Sequence, residues 1–450
     1  MTAPVRDAAP VATITETDQY TGTVSWSPEI ADNKFAASTV YTATITLSPK
    51  AGYTLTGITE NFFTVEGATA TNAADSGVVT AVFPATEAVP DAVIDIAAIA
   101  GVTAPVTGET PVATITETAQ YTGTVSWSPE IADNKFAAST VYTATITLSP
   151  KAGYTLTGIT ENFFTVEGAT ATNAADSGVV TAVFPATAAT YGVSWTSGTN
   201  TSMTRLGAAE DFTDNTPFSG INPWSEMKLC NVSDEGTITA YIDDGTSNFK
   251  RDGTNGQVMV KIPKFYYKHT YDEGTKKHEF WVADGPAAGF KLHPAFIRAG
   301  VEKEYILMGA YEAWIDEVDG GKLTSISGKS PTTSKNIVEF RTAAQARGTG
   351  WNQLEVQTYS AIQLLYLVEY ADTNCQTVIG KGVVDLGWDG TYKAVATGGC
   401  DSLDGASGMA DGTNGQVSVS YRGMENLWGN VWEFVDGINI KSSEQQPICG

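Results

Sequence analysis

Residues able to do chemistry are sparse in this chain and fall late in it. His269, His278 and His293 are its three histidines, and Cys230, Cys375, Cys400 and Cys449 its four cysteines. No cysteine pair has the C-x-x-C spacing, so neither a zinc ribbon nor a thioredoxin-type couple is encoded. The spacing leaves one or two disulfides and a set of buried, idle thiols both open. His269 and His278 can face each other across a hairpin. Its arms read as Val260-Lys-Ile-Pro-Lys-Phe-Tyr-Tyr-Lys-His269 and His278-Glu-Phe-Trp-Val282, turned by Asp272-Glu-Gly274. No third ligand accompanies the pair, so a metal is not expected there. Asp252-Gly-Thr-Asn-Gly-Gln-Val258 recurs as Asp411-Gly-Thr-Asn-Gly-Gln-Val417. Asn-Gly among polar residues signals type I′ turns at two hairpin tips. The alternative, a calcium loop, has one carboxylate per heptad to support it. No P-loop, H-E-x-x-H or Ser/His/Asp set in a suggestive context appears, so no catalytic residue is assigned.

The elements that would position these residues follow from length, composition and repetition. A chain of 450 residues predicts two to four domains. With 17 % charged and 42 % hydrophobic residues it has a globular composition rather than a disordered one. Fifty Asp and Glu oppose 26 Lys and Arg, a net charge of −24, which argues against DNA, RNA or anionic membrane as partners. No apolar run reaches the roughly 18 residues a membrane span needs, so no membrane insertion is expected. Met1-Thr-Ala-Pro-Val5 carries neither a basic nor an apolar leader segment.

Residues 10–86 recur as residues 111–187 with one difference, Asp18 against Ala119. Each copy reads as all-β. In the second, Tyr142, Ala144, Ile146 and Leu148 alternate with threonines, the mark of a half-buried strand. Further short runs at residues 112–116, 122–127, 163–166 and 178–184 are separated by turn signals. About seven strands in about 100 residues suggest an immunoglobulin-type sandwich, with Trp127 as core tryptophan and no cysteine pair beside it. Tyr121-Thr-Gly-Thr-Val-Ser-Trp127 and Ala152-Gly-Tyr-Thr-Leu-Thr-Gly158 resemble phrases of the immunoglobulin-like repeats of bacterial and phage surface proteins. Ala92-Val-Ile-Asp-Ile-Ala-Ala-Ile99 reads as the second module's first strand, and the first copy has no counterpart. The expectation is a shortened first module in a protein that continues upstream. Glu117, Glu130, Asp133 and Glu161 are scattered rather than paired for acid–base work, so the repeats read as spacers.

From about Thr190 the composition changes, and eight of the ten tryptophans lie beyond it. Helices are predicted over residues 334–346 and 358–371. The second carries an apolar stripe of Ala361, Leu364, Leu365, Leu367 and Val368, with Glu339 and Glu369 expected in water. Strands, two helices, then loops and short strands make an α+β arrangement. The phrase Asn426-Leu-Trp-Gly-Asn-Val-Trp-Glu-Phe434 resembles the G-N-V-W-E-W element of the formylglycine-generating-enzyme family, a branch of the C-type lectin fold. Ile262-Pro-Lys-Phe-Tyr-Tyr267, Gly289-Phe-Lys-Leu-His-Pro-Ala-Phe296 and Tyr421 to Gly437 together resemble C-type-lectin-fold tail proteins of gut phages, including those diversified by retroelements. That resemblance implies that Asn430 and Glu433 can help hold a calcium ion; both side chains also suit bonding to buried backbone groups in a glycine-rich loop. Trp428 and Trp432 are expected in packing rather than as a sugar platform.

The resulting expectation is a multidomain chain. Residues 1–87 and 88–188 form two all-β immunoglobulin-like sandwiches, and residues 189–450 an α+β C-type-lectin-like domain lacking its C-terminal part. The resemblance implies a non-catalytic tail or tail-fibre adhesin of a phage virion that binds a bacterial surface glycan or protein receptor and contacts other tail or virion proteins. Its receptor-contacting residues are expected beyond Gly450. A bacterial cell-surface adhesin of the same design is the alternative. A sulfatase-modifying enzyme is the further one, and Cys449 maps to no catalytic cysteine of that family. Homo-oligomerisation stays open, since no heptad run would drive it.

Overall fold

The computed structural model describes residues 1–198, 201–246, 248–387, 394–441 and 446–449, with side chains through Ile438. The chain is mostly β, arranged as several largely antiparallel sheets built from successive stretches of sequence. The first repeat forms one sheet from β1 (Tyr20–Ser27), β2 (Thr42–Pro49), β3 (Thr69–Asn72) and β4 (Val78–Val82), in the order β1-β2-β4-β3. The second opens with two short pieces, β5 (Ala92–Val93) and β6 (Ala98–Ile99). It continues with β7 (Tyr121–Ser128), β8 (Val141–Pro150), β9 (Tyr154–Thr155), β10 (Thr165–Val166), β11 (Thr170–Asn173) and β12 (Val179–Ala186). Its main sheet runs β11-β12-β8-β7, while β5 and β6 pair in parallel with β9 and β10.

Alternation sets the faces. Tyr142, Ala144, Ile146 and Leu148 of β8 are all buried, and Thr143, Thr145 and Thr147 are not. Trp127 is a partly buried neighbour of that core. Its indole donates to Val112 O at 2.8 Å and its ring meets Phe136 edge-on at 5.0 Å. Residues 112–116, expected as a strand, contribute one isolated bridge, Thr114 to Thr124.

Three residues after β12 the chain enters β13 (Thr190–Thr196). Then come β14 (Thr204–Gly207), β15 (Lys228–Val232), β16 (Ile238–Tyr241), β17 (Gln257–Pro263), β18 (Tyr266–Asp272), β19 (Lys277–Ala283), β20 (Lys291–Leu292), β21 (Ile297–Arg298), β22 (Val301–Glu302) and β23 (Tyr305–Gly309). Two larger sheets result, ordered β14-β13-β19-β18-β20 and β16-β15-β17-β23. The expected hairpin is half right. β18 and β19 pair, but β17 lies in the other sheet, because the chain breaks at Pro263, which has no amide to continue a ladder.

Two longer helices follow, α1 (Ile337–Gln345) and α2 (Val356–Tyr370). α1 starts three residues later than expected, because Asn336 caps it. Asn336 Oδ1 accepts from the amides of Val338 and Glu339, and the Glu339 carboxylate accepts from Asn336 N at 2.8 Å. α2 lays Ala361, Ile362, Leu365 and Val368 into the same core as Val193, Val260, Phe265 and Val282.

Glu369 corrects the expectation that it points to water: it is 2 % exposed. Its carboxylate accepts from Arg422 Nε at 2.8 Å and Nη2 at 2.7 Å, and from the Tyr421 hydroxyl at 2.9 Å. Arg422 also donates to Trp224 O at 3.0 Å, and Arg205 donates to the last carbonyls of α2, at Val368 and Glu369. A buried carboxylate is tolerated where a bidentate guanidinium answers it.

Candidate functional site

The part of the chain that follows β12 carries a cavity of about 800 Å³ whose walls come from β23, the turn after it, α1, residues 349–358 and residues 431–434. That is within the range of small-ligand clefts. The floor holds Glu312, which follows β23 in the run Tyr311-Glu-Ala-Trp314 and is 6 % exposed. Glu312 Oε2 accepts from the carboxamides of Asn426 and Asn430, and the Val431 backbone amide also donates to this carboxylate. Gln353, on the same wall, has both carboxamide atoms buried and unpartnered. Orphaned polar atoms are costly in a folded interior, and Gln353 places two of them beside this cavity.

The rim loop is held at both ends. At one end, Asn430 Oδ1 accepts from Val395 N at 2.8 Å and Asn430 N donates to Val383 O at 2.9 Å. Gly429 precedes it at φ 84°, where an added Cβ would stand 2.8 Å from Val383 N, so no other residue fits that approach. At the other end, Asp436 takes a two-pronged contact from Arg341, at 2.8 and 2.9 Å, and its backbone bonds to Leu354 and to Val356 at the start of α2. Between these anchors the loop presents Trp432, which is wholly exposed. The expectation of packing therefore fails for Trp432 and holds for Trp428, whose indole donates to Gly380 O at 2.9 Å. In a loop, a four-residue spacing carries no helical phase, so it says nothing about which ring turns inward.

Burial pushes the Glu312 carboxyl up to about 7, against the donors from Asn430 and Asn426 that favour its charged form; the nearby Glu433 adds repulsion. Glu433 is pushed in the same direction by burial, but the residue is exposed, so water weakens that push. A carboxyl raised in this way, as at Glu312, can carry a proton near neutrality and so donate as well as accept.

Asn430 and Glu433 thus come to one place, but not as a calcium site. The Asn430 carboxamide is spent on the Val395 backbone and on Glu312, which is the backbone-satisfying role. Calcium takes about six to eight oxygens. Among the described residues no three His, Cys, Asp or Glu side chains stand close enough to hold a metal ion. The residues present do not fit the ion.

The other sequence candidates separate from the cavity. Asp252 Oδ1 closes a local turn on Thr254, and Asn414 Oδ1 accepts from Lys381 N at 2.8 Å. In both heptads the glycines, not the asparagines, take positive φ, so the turns are not of type I′. His269 Nε2 and His278 Nδ1 do meet, at 3.1 Å, in a ring stack with Phe280. His293 is buried elsewhere and caps a short turn through Nδ1; burial pushes it down to about 4. Cys230, Cys375 and Cys400 are free thiols, and burial pushes Cys230 and Cys400 up to about 12. The Cys449 side chain lies outside the described residues.

Glu312 and Gln353 were missed at the sequence level. Glu312 had a legible signal, being the one charge in the run from Tyr305 to Ile315. Gln353 had none. Comparison with protein-family models found no match to the chain, and comparison with curated proteins found none either.

Proposed function

We propose that the chain is a non-catalytic adhesin of the phage tail or tail-fibre kind, in which immunoglobulin-like modules carry a C-type-lectin-like head that binds a bacterial surface glycan. The observation that carries this reading is Trp432, wholly exposed beside a cavity lined by Glu312, Gln353 and Glu433. An indole offers a flat apolar face to the C–H side of a sugar ring, while carboxyl and carboxamide groups suit its hydroxyls. The acidic repeats suit a soluble spacer. Thiols pushed up to about 12 are the reverse of an activated nucleophile, which supports a binding rather than a cysteine-based catalytic role. Retention of the full chain on a panel of bacterial cells tests the proposal. The expected result is binding to at least one host that falls tenfold or more in Trp432→Ala with its unfolding midpoint unchanged. Binding that is absent throughout, or indifferent to this substitution, would overturn it.

A further inference from the structure

Between residues 2–86 and 103–187 the two repeats differ at five positions, and four of these are consecutive: Arg6-Asp-Ala-Ala9 against Thr107-Gly-Glu-Thr110. Both runs form the same corner. Asp7 N donates to Phe35 O at 3.0 Å and Gly108 N to Phe136 O at 2.8 Å, and both residues take positive φ, 63° and 80°. The chain that leaves beside the corner differs too. Each repeat ends in Phe-Pro-Ala-Thr, at residues 83–86 and 184–187. The first continues as Glu87-Ala-Val-Pro-Asp91, the second as Ala188-Ala-Thr190.

In the second repeat the loop that follows β19 covers the corner. Thr107 Oγ1 donates to Ala188 O at 2.6 Å, Thr107 O accepts from Ala288 N at 2.8 Å, and Thr107 bridges in parallel to Ala287. Ala189 N donates to Asp284 Oδ1 at 3.0 Å, and Ala189 and Ala287 are buried. Gly108 permits the approach, because a Cβ on it would stand 3.0 Å from the Ala288 Cβ.

In the first repeat the corner reaches no further than the link. The Arg6 guanidinium donates to Ala88 O and meets the Asp7 carboxylate at 3.4 Å. Residues 87–93 are all exposed. The two repeats keep separate cores, and among the described residues no hydrogen bond or ion pair joins residues 1–87 to residues 92–187. The chain is next tied down where Ala92 N donates to Gly153 O at 2.9 Å. Asp7 carries a side chain where Gly108 has none, so this corner has no room for a loop at the Gly108–Ala288 distance.

We propose that the Thr107-Gly108 corner is a docking site for the Ala287-Ala288 loop, which makes the second repeat and the part after β12 one rigid body, and that the chain bends between its repeats at residues 88–91. The corner, not the body of the repeat, decides whether a repeat grips the domain after it. Thr-Gly grips a loop of small residues, whereas Arg-Asp leaves the successor on a short exposed link. Pro90 confines Val89 to extended backbone, which limits the bend without fixing its direction.

The test measures distances between paired spin labels in the full chain carrying Cys375→Ser and Cys449→Ser. Val40→Cys with Val141→Cys places labels at equivalent exposed sites of the two repeats; Val141→Cys with Val338→Cys joins the second repeat to α1. The expected distance distribution is at least about twofold wider for the first pair than for the second, as for domains without and with a packed interface. Thr107→Arg with Gly108→Asp gives the second repeat residues that the first accommodates in the same fold. It should widen the second pair to match the first while circular dichroism stays that of the parent. Ala288→Lys, from the opposite side of the contact, should do the same. Equal widths for the two pairs in the parent, or a second pair that stays narrow in both variants, would overturn the proposal.

Discussion

Glu312 shows how a single side chain can set the head's response to pH. Its value in the folded chain, about 7, lies above its ordinary 4.5. The unfolded chain therefore gives up this proton first as pH rises. The contribution of Glu312 to stability falls between about pH 4.5 and 7 and stays lowered above. In Glu312→Gln the amide oxygen can still accept from Asn426 and Asn430, and no charge has to be buried at this position. This variant should be more stable than the parent at pH 8, by up to roughly 3 kcal/mol, and no more stable at pH 4; urea unfolding at the two pH values measures the difference. His293 works in the opposite sense. Its folded value, about 4, lies below 6.5, so its contribution is lost as pH falls through that window. Its ring resonances should not titrate between pH 7 and 5; a midpoint near 6.5 would contradict the buried, neutral cap.

At the level of elements, α2 depends on residues remote from it in sequence. Glu369 is its buried anion, and Arg422 arrives 53 residues later to match it. Glu369→Ala or Arg422→Ala should each cost about 3–5 kcal/mol by leaving one buried charge alone. The double variant should cost less than the sum. Chemical denaturation of the three variants checks both statements. Loss of the α1 cap in Asn336→Ala should cost only about 1 kcal/mol. The same pair explains what sequence reading could and could not reach. The apolar stripe of α2 and the alternation in β8 are local patterns of period 3.6 and 2, so they were legible. Glu369 looked solvent-facing because a stripe reports one helix and not the guanidinium packed on it. The motif singled out Asn430 and Glu433 as calcium candidates and not as a cavity; of the two, Glu433 lines it. Glu312 and Gln353 reach it from the turn after β23 and the approach to α2, and only the assembled fold brings those segments together. The exposure of Trp432 depends on the anchors at Asn430 and Asp436, which no local pattern encodes.

Across the whole molecule, the charge is uneven: residues 1–188 hold 18 acidic and 5 basic residues. This suits modules that repel one another. The passage from repeat to head is short and bonded. Thr107 Oγ1 donates to Ala188 O at 2.6 Å, Ala288 N to Thr107 O at 2.8 Å, and Ala189 N to Asp284 Oδ1 at 3.0 Å. Such a junction favours a head held in a fixed direction over one that swings. The central claim, that the head's cavity and its exposed indole receive a bacterial surface glycan, is tested most directly by chemical footprinting of Trp432. Oxidation of this residue should be fast in the free chain and slow at least tenfold when polysaccharide from a retained host envelope is added, while Trp428 stays unreactive throughout. Unchanged Trp432 oxidation in the presence of saturating polysaccharide would contradict the account.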